Sequence, residues 1–196
     1  MNETMPADSP NELSPADLAA LVEVADRSIT LAVRDRVTWW PEPTDYAPIL
    51  REPRAAFVTL KRDGRLRGCI GTMVGGRPLV ECVADRARAA AFDDPRFDPV
   101  RPGELADLEV DVSVLSPMES FVVDGYDSLV NTLHPGRDGL LVEAGPYRAT
   151  FLPSVWDELP QPADFVAALW RKAGMPPLYW PHGIKTYRYF TQHAGG

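Results

Sequence analysis

The chain has 196 residues, 45% hydrophobic and 24% charged, which suits a soluble globular protein large enough to bury one sizeable core. Its 20 Lys and Arg stand against 28 Asp and Glu, and the resulting formal charge of -8 repels phosphate backbones and anionic membrane surfaces, so neither nucleic acid nor membrane is the expected partner. Only Cys69 and Cys82 are present, too few for a disulfide framework, and no run approaches the about 18 apolar residues of a membrane span; a cytoplasmic protein is expected.

Met1 to Leu13 are polar and proline-containing and predict a loose tail. Ser14-Pro15-Ala16-Asp17 then supplies a capping hydroxyl, a proline at the first helical position and an acidic first turn. A helix follows, with Leu18, Leu21, Val22, Ala25, Ile29, Ala32 and Val33 at the three-and-four spacing of one buried face. Pro41, Pro43, Pro48 and Pro53 exclude a regular helix over Trp40 to Arg54 and predict an ordered, extended connector.

Ala55 to Leu60 and Leu66 to Gly71 flank Asp63-Gly64, the pattern of a β-hairpin. In its second arm, period-two alternation puts Arg67 and Cys69 on one face unless a glycine bulge interrupts it. Pro78 opens a second helix, carrying Leu79, Cys82, Val83, Ala87 and Ala90 and stopped by Asp94-Pro95. Leu108, Val110, Val112 and Val114 alternate with Glu109, Asp111 and Ser113 as a half-buried strand. A second hairpin spans Gly139 to Leu152, a short helix Asp164 to Ala173, and a last strand Ile184 to Phe190. Strands and helices do not alternate strictly, so the expected fold is α+β: an antiparallel or mixed sheet packed with helices, with a smaller lobe drawn from distant segments.

Cys69 is the first candidate for chemistry, because an adjacent Arg67 would stabilise the thiolate that acts as nucleophile or soft-metal ligand; a buried small hydrophobe is the competing assignment. Glu109, Asp111 and Ser113 project to one side, and acidic groups about 7 Å apart can share a proton or a cation, or simply form a solvated face. If this strand lies beside Leu66 to Gly71 as an inner strand, Glu109 faces Arg67 across the ladder. Arg96, on the turn stiffened by Pro95, is a planar donor suited to a carboxylate or phosphate ligand, or to an internal salt bridge. The close-set Arg86, Arg88, Arg96 and Arg101 form the one candidate basic patch. The histidines show no zinc spacing and no evident nucleophile–base pair, with His193 in the terminal tail. No phosphate-binding loop or dinucleotide fingerprint occurs, so neither metal nor cofactor is indicated.

LRGCIG at Leu66 to Gly71, ARAAAFDDPRFDPV at Ala87 to Val100, LEVDVSVLSP at Leu108 to Pro117, DGLLVEAGPYRATFLPSVW at Asp138 to Trp156, RKAGMPP at Arg171 to Pro177 and the terminal IKTYRYF stand in one order. In this the chain resembles, over about Leu18 to Phe190, the AMMECR-one domain family, also called AmmeMemoRadiSam system protein A. Trp170 occupies a position where some relatives carry Cys, which argues against an obligatory thiol in the C-terminal helix. The resemblance implies a two-lobed α+β fold and association with Memo-like and radical SAM proteins, without a settled activity. Two functions follow as expectations. One is a small-molecule enzyme or ligand-processing subunit, with Cys69, Arg67 and Glu109 in the chemistry and Arg96, Asp111 and Ser113 on the ligand. The other is a noncatalytic interaction module, presenting aromatics such as Trp39, Trp40 and Trp180 to a partner.

Overall fold

A computed structural model describes residues 12–195. The tail expectation for residues 1–11 lies outside the described residues, whereas Leu13, also assigned to that tail, is 3% exposed. Its backbone N–H donates to Gln192 Oε1 at 2.8 Å and its carbonyl accepts from Gln192 Nε2 at 3.0 Å.

Among the described residues the fold is mixed α+β with two four-stranded sheets. The chain divides into two compact units: one reaches to Ser116 and takes in the residues from Gln192 onward, and the other is Pro117–Thr191. The second unit is therefore one continuous stretch. The first is the one assembled from distant segments, the reverse of the sequence expectation.

In the first unit, α1 (Pro15–Asp35) begins as its sequence dictates. Ser14 and Asp17 form a reciprocal capping box, and the buried face carries Leu21, Val24, Ala25, Ile29, Ala32 and Val33. The proline-rich connector is less extended than expected, folding into 3-10 turns at Pro43–Asp45 and Pro48–Arg51 because proline suits the first position of such a turn. β1 (Ala56–Arg62) and β2 (Arg65–Gly71) form the expected hairpin, with Asp63 and Gly64 both at positive φ. Next come α2 (Leu79–Phe92) and β3 (Leu108–Leu115).

The sheet order is β2-β1-β3-β8, where β8 is Thr191–Gly195, and the β1–β2 and β1–β3 pairings are antiparallel. Ala56, Val58, Leu60, Val110, Val112 and Val114 join residues of α1 and α2 in one core. At Gly68 the sheet and α2 meet so closely that a Cβ would lie 2.2 Å from the Ala90 carbonyl oxygen, so the first glycine of the hairpin arm is set by packing.

In the second unit, β4 (Glu119–Ser120), α3 (Tyr126–Thr132), β5 (Gly139–Ala144), β6 (Tyr147–Phe151), α4 (Pro162–Ala173) and β7 (Lys185–Tyr189) follow in order. The sheet runs β4-β7-β5-β6, with antiparallel β4–β7, β5–β6 and β5–β7 pairs. Leu140, Val142, Phe165, Leu169 and Trp170 make its core, where Trp156 stacks on Phe165 at 3.8 Å between centroids. Among the described residues, no helix is long and apolar enough to cross a membrane.

Candidate functional site

On the side of the first sheet opposite its apolar core lie the alternate residues of the same strands. Thr59 of β1 stands between Cys69 of β2 and Asp111 of β3 as direct ladder partners, and Ser113 follows one register step on, opposite Phe57. Thr59, Lys61, Asp111, Ser113, His193, Ala194 and Gly195 line a shallow depression of about 330 Å³. That is at the small end of the range for small-molecule clefts.

Cys69 is half-buried, and the Thr59 hydroxyl donates to its Sγ at 3.3 Å. Its backbone is held from the turn after α2. The Cys69 N–H donates to Asp94 Oδ2 at 2.8 Å, and Arg96 Nη2 reaches the Cys69 carbonyl at 3.4 Å. Asp94, with a side chain 2% exposed, also accepts from Arg96 Nε at 2.9 Å, Arg96 Nη2 at 2.7 Å and the Arg96 N–H at 3.1 Å. Those bonds, Arg96 first, hold the Asp94 carboxyl well below the usual carboxylate range in spite of its burial. Because β2 is an edge strand, the Asp94 and Arg96 side chains bond groups that would otherwise invite another strand.

The structure separates several residues that the sequence placed together. β1 lies between β2 and β3, so Glu109 faces Lys61 instead of Arg67, and LRGCIG forms an edge strand instead of an inner one. The bulge that would break the alternation is present: the register shifts between Leu60 and Lys61, leaving Arg67 without a ladder partner. The Arg67 guanidinium turns to Glu104, with Nε–Oε1 at 2.8 Å and Nη2–Oε2 at 3.1 Å, and Nη1 donates to the Asp98 carbonyl at 2.9 Å. This bidentate contact lowers the Glu104 carboxyl to about 2. Arg96, not Arg67, is the guanidinium that contacts Cys69, and it does so at the backbone carbonyl. Its guanidinium is occupied by Asp94, so the internal salt bridge weighed for it is present. Asp111 is likewise engaged, with Lys61 Nζ 2.5 Å from Oδ2. The candidate basic patch is interleaved with acid: Arg86 pairs with Asp85, Arg88 with Asp93 and Arg96 with Asp94.

A family model described as AMMECR1 matches residues 22–194. The chain belongs to the AMMECR1 family. It is 41% identical over 184 residues to protein TK0174 of Thermococcus kodakarensis, covering 88% of this chain and 86% of the other. It is 40% identical over 152 residues to a protein of Methanothermobacter thermautotrophicus, covering 76% and 79%. The crystal structure of uncharacterized protein PH0010 from Pyrococcus horikoshii is similar with a TM-score of 0.74 at 36% identity, over 89% of this chain and 88% of that one.

The AMMECR1 match includes His193, which the sequence assigned to a terminal tail. In the structure His193 belongs to β8, and its Nδ1 lies 2.8 Å from Ser113 Oγ, a contact not evident in the sequence. No spacing rule announces a pair 80 positions apart. Lys61 was legible in principle, because Phe57, Thr59 and Lys61 alternate with the buried Val58 and Leu60. Among the described residues, no group of three or more His, Cys, Asp or Glu is arranged to hold a metal ion.

Proposed function

We propose that this AMMECR1-family protein is a ligand-processing subunit that receives a small polar molecule on the outer face of its first sheet, with Cys69 as the group the ligand meets. The observation carrying this reading is the mounting of Cys69. Its thiol accepts from Thr59, which lines the depression although Cys69 itself does not, while a buried carboxylate and a guanidinium fix its backbone from the other side. A site built on rigid strands and braced by surrounding hydrogen bonds is the arrangement that chemistry on a small molecule requires. Arg96 supports Cys69 through its backbone carbonyl, Asp111 and Ser113 remain the ligand contacts, and Glu109 lies one step further along the same face. The association with Memo-like and radical SAM proteins implied by the family is part of the proposal.

Competitive labelling with a small alkylating agent tests it. Cys82 is an internal reference, 4% exposed and with a thiol pushed up by burial. Cys69 is expected to label first, and Cys69→Ala to lose affinity for a ligand found by metabolite screening. A Cys69 that labels no faster than Cys82, with ligand affinity intact in Cys69→Ala, would remove the thiol from the function.

The second reading, a noncatalytic interaction module, draws support from the second unit, where Val122 is 88% and Leu178 70% exposed. The aromatics are less available than their sequence context suggested. Trp39 lies under Arg27, Trp180 stacks on Trp170, and only Trp40 of the three is largely exposed. Titration of the native chain with Memo-like or radical SAM proteins tests this reading: binding lost in Val122→Asp would favour it.

A further inference from the structure

We infer that Ser113 and His193 form a second reactive pair in the depression, independent of Cys69, in which Ser113 is a nucleophile toward activated esters and His193 accepts its proton. Ser113 Oγ and His193 Nδ1 are 2.8 Å apart, the distance for proton transfer from hydroxyl to the Nε2–H tautomer of the ring. Both residues sit on strands, and the geometry is held by more than their own bond. Gly195, two residues beyond His193, has φ of +109°, and a Cβ there would lie 2.0 Å from the Val110 carbonyl oxygen. β8 can seat this closely on β3 only because that residue is glycine. Backbone pairing with β3 holds the strand, and the exposed side-chain bond adds little to it. Lys61, its pKa raised further by the hydrogen bond to Asp111, places an ammonium in the same depression where an oxyanion would form.

The chemistry balances without a cofactor. Ser113 Oγ forms a bond to the carbonyl carbon of an ester as its proton passes to His193 Nδ1. The carbon–oxygen bond to the leaving alcohol breaks, and that alcohol departs with the proton from His193. Water, deprotonated by the same ring, then cleaves the acyl-serine and regenerates the hydroxyl. The substrate class is a small ester with a good leaving group, because the depression is too shallow to enclose a large one.

An alkyl fluorophosphonate tests the pair on the native full chain: Ser113 Oγ bonds to phosphorus, fluoride leaves, and the proton goes to His193. Mass spectrometry is expected to find the adduct on Ser113 and to lose it in Ser113→Ala. His193→Gln keeps a side chain able to bond Ser113 but removes the base, so labelling is expected to slow by about a hundredfold. Added imidazole is expected to restore part of the rate in His193→Ala, which a merely structural histidine would not allow. Peptide mapping reads adducts on Ser113 and on Cys69 separately, so the fate of this inference is distinguished from that of the proposed role of the thiol. No adduct on Ser113 in the native protein, or an unchanged rate in His193→Gln, would overturn the assignment.

Discussion

Along β1 and β3, the residues that build the core and those that carry polar chemistry alternate in the same few positions, yet the two faces obey different rules. Val58, Leu60 and Val112 are all 0% exposed and make contacts that any change of volume disturbs. Thr59, Lys61, Asp111 and Ser113, one residue away in each case, bond to one another or to Cys69 and His193 at the surface. The difference teaches that stability and function are separable here residue by residue. A substitution on one face should unfold the protein without touching the chemistry, and its neighbour should do the opposite.

The strongest way to break this comparison is on the core face. Leu60→Ala removes a fully buried side chain and is expected to lower unfolding stability by about 2 to 5 kcal/mol, read by urea denaturation, while Cys69 labelling in the folded fraction stays unchanged. A large change in labelling rate at low denaturant would show that the faces are coupled. Gly68→Ala comes next, at about 1 to 3 kcal/mol, because the added methyl must push α2 away at the Ala90 carbonyl. It also sharpens the comparison: Gly68 stands next to Cys69 in β2, and an effect on stability alone would make that glycine a packing residue.

Arg67→Met is expected to have a smaller effect, about 1 kcal/mol near neutral pH, because Glu104 keeps its bond from the Arg101 N–H and its contact with Arg62. Its pH dependence has a fixed sign. The folded Glu104 carboxyl is depressed to about 2 from an ordinary 4.5, so the pair stabilises the protein fully above the ordinary value. That contribution is lost as pH falls through the window between the two. Denaturation midpoints of the native chain and Arg67→Met should therefore converge from pH 4.5 down to about 2; a constant difference would mean that Arg67 acts through packing. The least effect belongs to the outer face itself. Lys61→Met breaks an exposed ion pair and is expected to change stability by about 0.2 to 1 kcal/mol, while slowing any reaction that builds negative charge in the depression.

Sequence periodicity and punctuation determined much of the fold. The cap at Ser14, the hairpin about Asp63-Gly64, the alternation from Leu108 to Val114 and the helix stop before Asp94-Pro95 are local signals, because each rests on backbone geometry within a few residues. The ordered motifs likewise identified the family, and Cys69, Asp111 and Ser113 are on the face that alternation assigned to them. Strand neighbours were decided only in three dimensions. Alternation tells which face a residue takes but not which strand lies beside it, so Arg67 was matched with Glu109 although β1 separates them. The partners Glu104 for Arg67, Asp94 for the Cys69 backbone and His193 for Ser113 lie 37, 25 and 80 positions away. Such pairs form because burial of the apolar face and closure of the sheet by β8 bring the segments together, and side-chain bonds then select among groups already close. That selection acts on the folded surface, so no local pattern in the chain encodes it.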